Sequence, residues 1–365
     1  MVKIKGTAKL FKEDQDIELS IFAPFADYLS PEVRSITVDD DGLLIGVSTD
    51  SGEDNSPYVA YPPLAICDTL SYCRKIQKSE LQELDRLGPF VDLVSYKDEG
   101  GTPHKVVFKF NVMDKPLRLQ MAWDEINILS LLPPHPNILP FDRIVVEGEE
   151  SRVLGFTTRY IPGQTLDNPK IPFRFEWLQQ LTQVVDFLNL ELGIMHQDIA
   201  PRNLLIDAET EKILLFDFDR AASGKKNLSN GPDDVTAVAF TLYKLITNHE
   251  SFSHIPHWDR TIHRVQNISE WPSHRPLDAK VAKFRNFLNE WIETRSDGDM
   301  KRYLNAPRRF TWPDRPEASE YSVPFQLGTF TDGKPYMTTG PRSRRTAMKL
   351  GSIAFAGNDP HRAGC

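Results

Sequence analysis

The chain has little cysteine, no long apolar run and no surplus of positive charge, and each shortage closes off a class of protein. Three cysteines among 365 residues, Cys67, Cys73 and Cys365, are too few and too odd for a disulfide framework, so a reducing compartment is expected. Cys67 and Cys73 have no further cysteine or histidine at zinc-ligand spacing and read as buried thiols. Nowhere do about 18 apolar residues follow one another, so no membrane-spanning helix is expected. The opening MVKIKGTAKLFKEDQDIEL is interrupted by charge and lacks the apolar stretch of a secretory signal. With 43 basic against 51 acidic residues the net charge is −8, which argues against nucleic acid as the main partner, because phosphate backbones favour a basic footprint. An acidic, cytoplasmic globule is the expectation, its oligomeric state open.

What is present changes character along the chain. Residues 1–78 carry short apolar runs, Ile17 to Phe22 and Leu43 to Val47, broken by acidic turns, and read as strands of an extension without chemistry. From Ser79, ELQELDRLGPFVDLVSY and KVVFKFN read as strands joined by the polar turn KDEGGTPH. Leu119, Trp123, Ile126 and Leu129 then recur at three-to-four spacing, which predicts an amphipathic helix stopped by Pro133 and Pro134. RIVVEG and SRVLGFTTRYIP add strands, so the first lobe is sketched as five strands and one helix. Beyond it Trp177, Leu178, Leu181, Val184, Val185 and Leu188 share one helical face, LLI and ILLF form two short strands, and a buried helix follows Asp234, itself read as the helix cap. A third helix starts near residue 281. From about 297, Pro, Arg, Gly and Ser dominate without period, and an irregular tail is expected; its Arg342, Arg344 and Arg345 read as solvated.

Between these elements lie residues whose types suit one chemistry. Lys109 ends the strand VVFK, Glu125 sits among the inward residues of the following helix, HQDIAPRN places Asp198 and Asn203 five apart, and Asp217 follows the strand ILLF in DFD. In that order and spacing they resemble the protein-kinase superfamily, which sets a strand lysine, a helix glutamate, H-R-D-x-x-x-x-N and D-F-G in sequence. HPNI, the TRYIPGQTL stretch and DVTAVAFTLYKL add to the likeness, which is similar in detail to atypical kinase-domain proteins abundant in fungi. The resemblance implies a bilobal α+β fold: a β-rich lobe over 79–158, a hinge over 159–166 and a helical lobe over 167–296, flanked by the extension and by a tail from 297 to 365. It also implies Asp198, Lys109, Glu125 and Arg202 in catalysis, and Asn203 and Asp217 on Mg2+. Contacts to ATP would come from Lys109, Gly88, Val94, Val107, Thr158, Tyr160 and Leu205. A protein substrate is the implied acceptor, and His196 and Phe218 would stack with Leu129 between the lobes.

Four departures accompany the likeness. The phosphate-covering loop reads LGPFVDLV, with Gly88 followed by Phe90 and Leu93 where glycines are expected, so the backbone has less freedom to approach phosphates. Gln197 stands in place of the arginine that receives a phosphorylated segment, which makes activation by such phosphorylation unlooked for. DFD puts Asp219, read as a turn cap, where a glycine is expected. The interval from Asp217 to Asp234 is short and holds no A-P-E. These traits keep two alternatives open: a small-molecule kinase of the aminoglycoside or choline phosphotransferase type, and a pseudokinase that binds without turnover.

Overall fold

The structure is a computed structural model that describes residues 2–4, 23–30, 33, 35–39, 41–50, 61–111, 116–149, 151–224, 226–228, 233–248, 252, 255–256, 259–296, 304–316, 322–329 and 334–341. The expected strand from Ile17 to Phe22, Cys365 and the arginines at 342, 344 and 345 lie outside them. The described residues form two compact units, one drawn from 1–61 and 317–365, the other from 62–111 and 116–316. In the first unit β1 (Val2–Ile4) pairs in parallel with β2 (Ser35–Val38), which pairs antiparallel with β3 (Leu44–Ser48).

The second unit is a bilobal, kinase-like α+β fold. Its upper lobe is a six-stranded sheet built from β4 (Lys75–Gln77), β5 (Gln82–Gly88), β6 (Val91–Lys97), β7 (Pro103–Phe110), β8 (Phe141–Glu147) and β9 (Arg152–Arg159), in the order β4-β8-β9-β7-β6-β5. The sketch of five strands missed β4, whose three residues carry too little pattern to announce a strand and which pairs in parallel with β8. ELQELDRLGPFVDLVSY forms the β5–β6 hairpin, turning at Pro89–Phe90. Proline fixes the first turn position and Phe90 takes the left-handed second position at φ +62, a place glycine usually fills.

Helix α1 (Pro116–Leu131) begins on a proline, whose φ suits a first helical turn, and ends ahead of Pro133. The stripe Leu119, Trp123, Ile126 and Leu129 is buried as expected, but so are Asp124, Glu125, Asn127 and Ile128, so the helix is enclosed all round from Trp123 to Leu129. Three polar side chains without solvent must find partners, and they do.

Below the sheet, β10 (Gly163–Thr165) pairs with the later β12, and helix α2 (Phe175–Asp186) buries the six apolar residues that its period picked out together with the π-turn Phe187–Glu191. Then come β11 (Ile194–Met195), β12 (Leu204–Asp207), β13 (Ile213–Leu215) and β14 (Ala222–Ser223). Helix α3 (Asp234–Thr247) is capped by Asp233, whose carboxylate accepts from the Thr236 amide at 2.8 Å, and not by Asp234. Helix α4 (Val281–Ser296) buries Phe284, Leu288, Trp291 and Ile292 against α2 and α3. Asn137 ties the lobes together, its amide donating to Gln180 Oε1 at 3.0 Å and to the Ile213 carbonyl at 2.9 Å. In the first unit, β15 (Ser322–Thr329) and β16 (Pro335–Pro341) form an antiparallel hairpin within the stretch read as irregular; its register breaks near Gly328, which weakens the alternation.

Candidate active site

The strand register decides which side chains of the sheet share a face with Lys109. Cross-strand partners lie on the same face, and alternate residues follow. Val91 opposes Lys109, Leu93 opposes Val107, and Val107 opposes Thr158. Lys109, Val107, Leu93 and Thr158 therefore line one surface. Val94, expected at the nucleotide, opposes Val106 and lies on the other face of β6 from Lys109, while Leu93, one residue earlier, lies on the Lys109 face; a slip of one place reverses the side. Gly88 ends β5 beside the turn, Tyr160 follows β9, and Leu205 lies on β12 below. Gly155 was passed over in the sequence: a Cβ there would run into the carbonyl oxygen of Lys109, so only glycine lets β9 pass.

Lys109 reaches from the sheet to both lobes. Its ammonium donates to Glu125 at 2.8 Å and to Asp217 at 2.5 Å. The Glu125 carboxylate also accepts from the Phe218 amide at 3.1 Å, so helix, strand and the DFD turn meet on one acid. Burial alone would lower the lysine's pKa, but the carboxylates of Glu125, Asp217 and Asp219 outweigh it and hold the ammonium firmly protonated. Burial pushes Glu125 up to about 7 in spite of Lys109. Burial would raise Asp217 too, yet attraction to Lys109 wins and its pKa is lowered.

The loop below is held from beneath. Asp234, wholly buried at the first turn of α3, accepts from the amides of His196 at 2.8 Å and Gln197 at 2.9 Å and from the Asn189 side chain at 2.8 Å. The His196 ring packs against Phe218 with 4.7 Å between centroids and bonds the Phe216 carbonyl, so it is core, as the resemblance implied. Asp198 receives Arg202 on both carboxylate oxygens, at 2.6 and 2.7 Å, while the Asn203 amide donates to its carbonyl at 2.9 Å and its carboxylate at 3.1 Å. Gln197 and Asp217 both adopt left-handed backbone, φ +61 and +68, at a cost of about 1–3 kcal/mol each that only a well-determined surrounding sustains.

Asp219 is not a turn cap. Its Oδ1 is buried with no hydrogen-bond partner, and burial together with the neighbouring Asp217 raises its pKa. Among the described residues no three histidine, cysteine or acidic side chains form a metal cage of their own. The donors on hand, two carboxylates and an amide, are hard oxygens, and an orphaned buried carboxylate oxygen fits a cation; magnesium characteristically takes one or two carboxylates and fills its shell with water and phosphate.

No family model matches the chain. Over 116 residues, 29% of the chain, it is 30% identical to casein kinase II subunit alpha' of Saccharomyces cerevisiae. Over 125 residues, 32% of the chain, it is 29% identical to CBL-interacting serine/threonine-protein kinase 16 of Arabidopsis thaliana. The matches span 32% and 25% of those two proteins. These partial, low-identity matches support a place in a protein-kinase-like superfamily. Fold and relatives together support a kinase-type phosphotransferase in general, and no described helix is long and apolar enough to cross a membrane.

Proposed function

We propose that the chain is an ATP-dependent phosphotransferase of protein-kinase type, of the atypical sort its sequence resembles, passing the γ-phosphoryl group of Mg-ATP to a hydroxyl on a protein. The observation that carries this reading is the Lys109 ammonium, fixed between Glu125 and Asp217 on the sheet face it shares with Val107, Leu93 and Thr158. Phosphoryl transfer asks chiefly for positioning and for charge aimed at the phosphoryl oxygens, and these residue types supply both. Lys109 would hold phosphate oxygens, Gly88, Tyr160 and Leu205 would border the nucleotide, and Asp198 would orient the acceptor hydroxyl and take its proton. Arg202 fixes the Asp198 carboxylate for that task. Asn203 and Asp217 would hold magnesium, which when bound neutralises charge developing on the phosphates. The two free cysteines Cys67 and Cys73 suit a reducing cytoplasmic setting.

The protein acceptor is supported by the kinds of relatives found. A second reading, a small-molecule acceptor, is favoured by the short stretch from Phe218 to Asp233, which offers little platform for a peptide. Transfer of labelled phosphate from Mg-ATP, run against a panel of peptides and of hydroxylated metabolites, separates them. Peptide labelling is the expected result. Labelling of metabolites alone would replace the acceptor, and binding without any labelling would leave a nucleotide-binding module in place of an enzyme.

A further inference from the structure

Helix α1 presents two adjacent buried acids, and only Glu125 faces Lys109. The other, Asp124, is 2% exposed and turned about 100° away along the helix. It gathers donors from two directions. Trp312 Nε1 donates to its Oδ1 at 2.5 Å; Asn227 donates to its Oδ2 at 2.7 Å; Lys226 stands 3.7 Å off; Gln120, one turn back, adds a bond at 3.0 Å. Lys226 and Asn227 belong to the segment that follows Asp217, and Trp312 to residues 304–316, far along the chain beyond α4.

Residues 304–316 lie across both parts. Arg308 is anchored on the lower lobe, its amide donating to the Glu191 carbonyl at 3.0 Å. The Arg309 guanidinium rests on Gly224, where a Cβ would stand only 2.7 Å from it, and Gly224 turns the chain at φ +58. Ser223 donates to the Phe310 carbonyl at 2.9 Å and Lys226 to the Trp312 carbonyl at 3.2 Å, and Lys226 pairs with Asp314 at 3.0 Å while lying 5.1 Å over the indole. Trp123, beside Asp124, donates to the Pro313 carbonyl at 2.9 Å. Gln197, the residue in place of arginine, secures the segment after Asp217 with a neutral amide, donating to the carbonyls of Arg220 at 2.6 Å and Asn227 at 2.9 Å.

We propose that residues 304–316 are a strap that fixes the rotation of α1, with Trp312 as a positioning residue for phosphoryl transfer, so that the Lys109–Glu125 pair is assembled without a phosphate on the segment after Asp217. The geometry is that of a rigid helix. Asp124 and Glu125 are neighbours on it, so any roll that withdraws Glu125 from Lys109 must also tear Asp124 from Trp312, Asn227 and Lys226. A buried carboxylate stripped of its donors is expensive, and the roll is thereby opposed. The inference rests on the phosphotransfer reading only for its catalytic consequence; the hold on the helix stands by itself.

The test uses the full chain and three variants: Trp312→Phe, which keeps the ring and removes its N–H; Asp124→Asn, which keeps the shape and removes the charge; and the double variant. Amide hydrogen exchange is followed over Leu119–Leu131 and, as a reference, over Asp234–Thr247, beside kcat and KM for transfer. For each single variant, exchange in α1 is expected to rise about tenfold with α3 unmoved, as for local opening of one element. Transfer efficiency should fall about tenfold, most of it in kcat, and the double variant should be no worse than the poorer single, because the two groups act as a pair. Equal loosening of α1 and α3, additive losses, or an unaltered helix would each overturn the strap. A wild-type chain that ignores nucleotide would overturn the phosphotransfer reading, and the exchange result would then decide the strap alone.

Discussion

The loop beneath the site and the turn above it were built to different standards. Below, His196–Asn203 is pinned at nearly every residue: Asp234 takes two of its amides, Phe218 supports His196, two carbonyls hold Gln197, and Arg202 and Asn203 aim Asp198. Above, Gly88–Val91 offers one glycine, a proline without an N–H, and Phe90 in a conformation that a side chain resists by about 1–2 kcal/mol. Its carbonyl is taken by the Phe110 amide at 3.0 Å, and its ring leans edge-on against Phe110 with 6.0 Å between centroids. On the proposed reading the tight half would handle acceptor and proton, while the loose half carries a proline and a phenyl-bearing residue where a glycine loop would let the main chain approach phosphate. If the proposed function holds, recognition of the nucleotide would lean on charge, on Lys109 above all.

The comparison breaks most visibly at the lower loop. Asp198→Asn should cut kcat by about 10²–10⁴, the usual worth of a placed acid–base group, while leaving nucleotide binding nearly intact. Unchanged turnover would strip Asp198 of its role. Lys109→Met comes next. The wild-type protein should gain about 2.7 kcal/mol in denaturant-monitored stability with Mg-ATP at a hundred times its dissociation constant, and the variant should lose most of that gain at the same concentration. The unliganded variant should also fall by about 3–5 kcal/mol, because Glu125 would be left buried without its cation.

Much of this was legible because it repeats in short range. The faces of α2 and α3, the DFD and HQDIAPRN motifs and the terminating prolines are all local patterns, and Lys109, Glu125 and Asp217 do meet. What escaped depends on register or on distance along the chain. Val94 and Leu93 are indistinguishable until β6 is paired with β7. Asp233 and Asp234 are adjacent acids, and only the folded loop shows which caps and which braces. Trp312 lies in a stretch without period, nearly two hundred residues from Asp124, and nothing in a periodicity search joins them.

A smaller effect sharpens the contrast from within the ion cluster. Glu125 has a folded pKa raised to about 7 by burial, so its contribution to stability is complete below the ordinary glutamate range and is lost as pH rises through about 7. Asp217 is shifted down, so its contribution is present above the ordinary aspartate range and is lost only as pH falls. Between pH 5 and 8 the contribution of Glu125 declines with rising pH, while the lowered pKa of half-buried His135 acts the other way, and Glu125→Gln should remove the declining part. Urea unfolding of both proteins at the two pH values measures it, and parallel slopes would remove Glu125 as the titrating group.

The smallest expected effect concerns the turn itself. Phe90→Gly relieves the left-handed strain, about 1–2 kcal/mol, but forfeits the aromatic contact with Phe110, about 0.5–1.5, and frees the unfolded chain by about 0.4–1. Those terms nearly cancel, so the melting temperature should move little. Nucleotide affinity is the informative quantity, because a bare glycine lets the backbone approach phosphate where a phenyl-bearing residue keeps it back. A rise of a few-fold in Mg-ATP affinity by calorimetry would show that the missing glycine was what loosened the upper half. A fall would mean that the Phe90 ring is itself a nucleotide contact, and that the turn recognises its ligand with a side chain where a glycine loop would use the main chain.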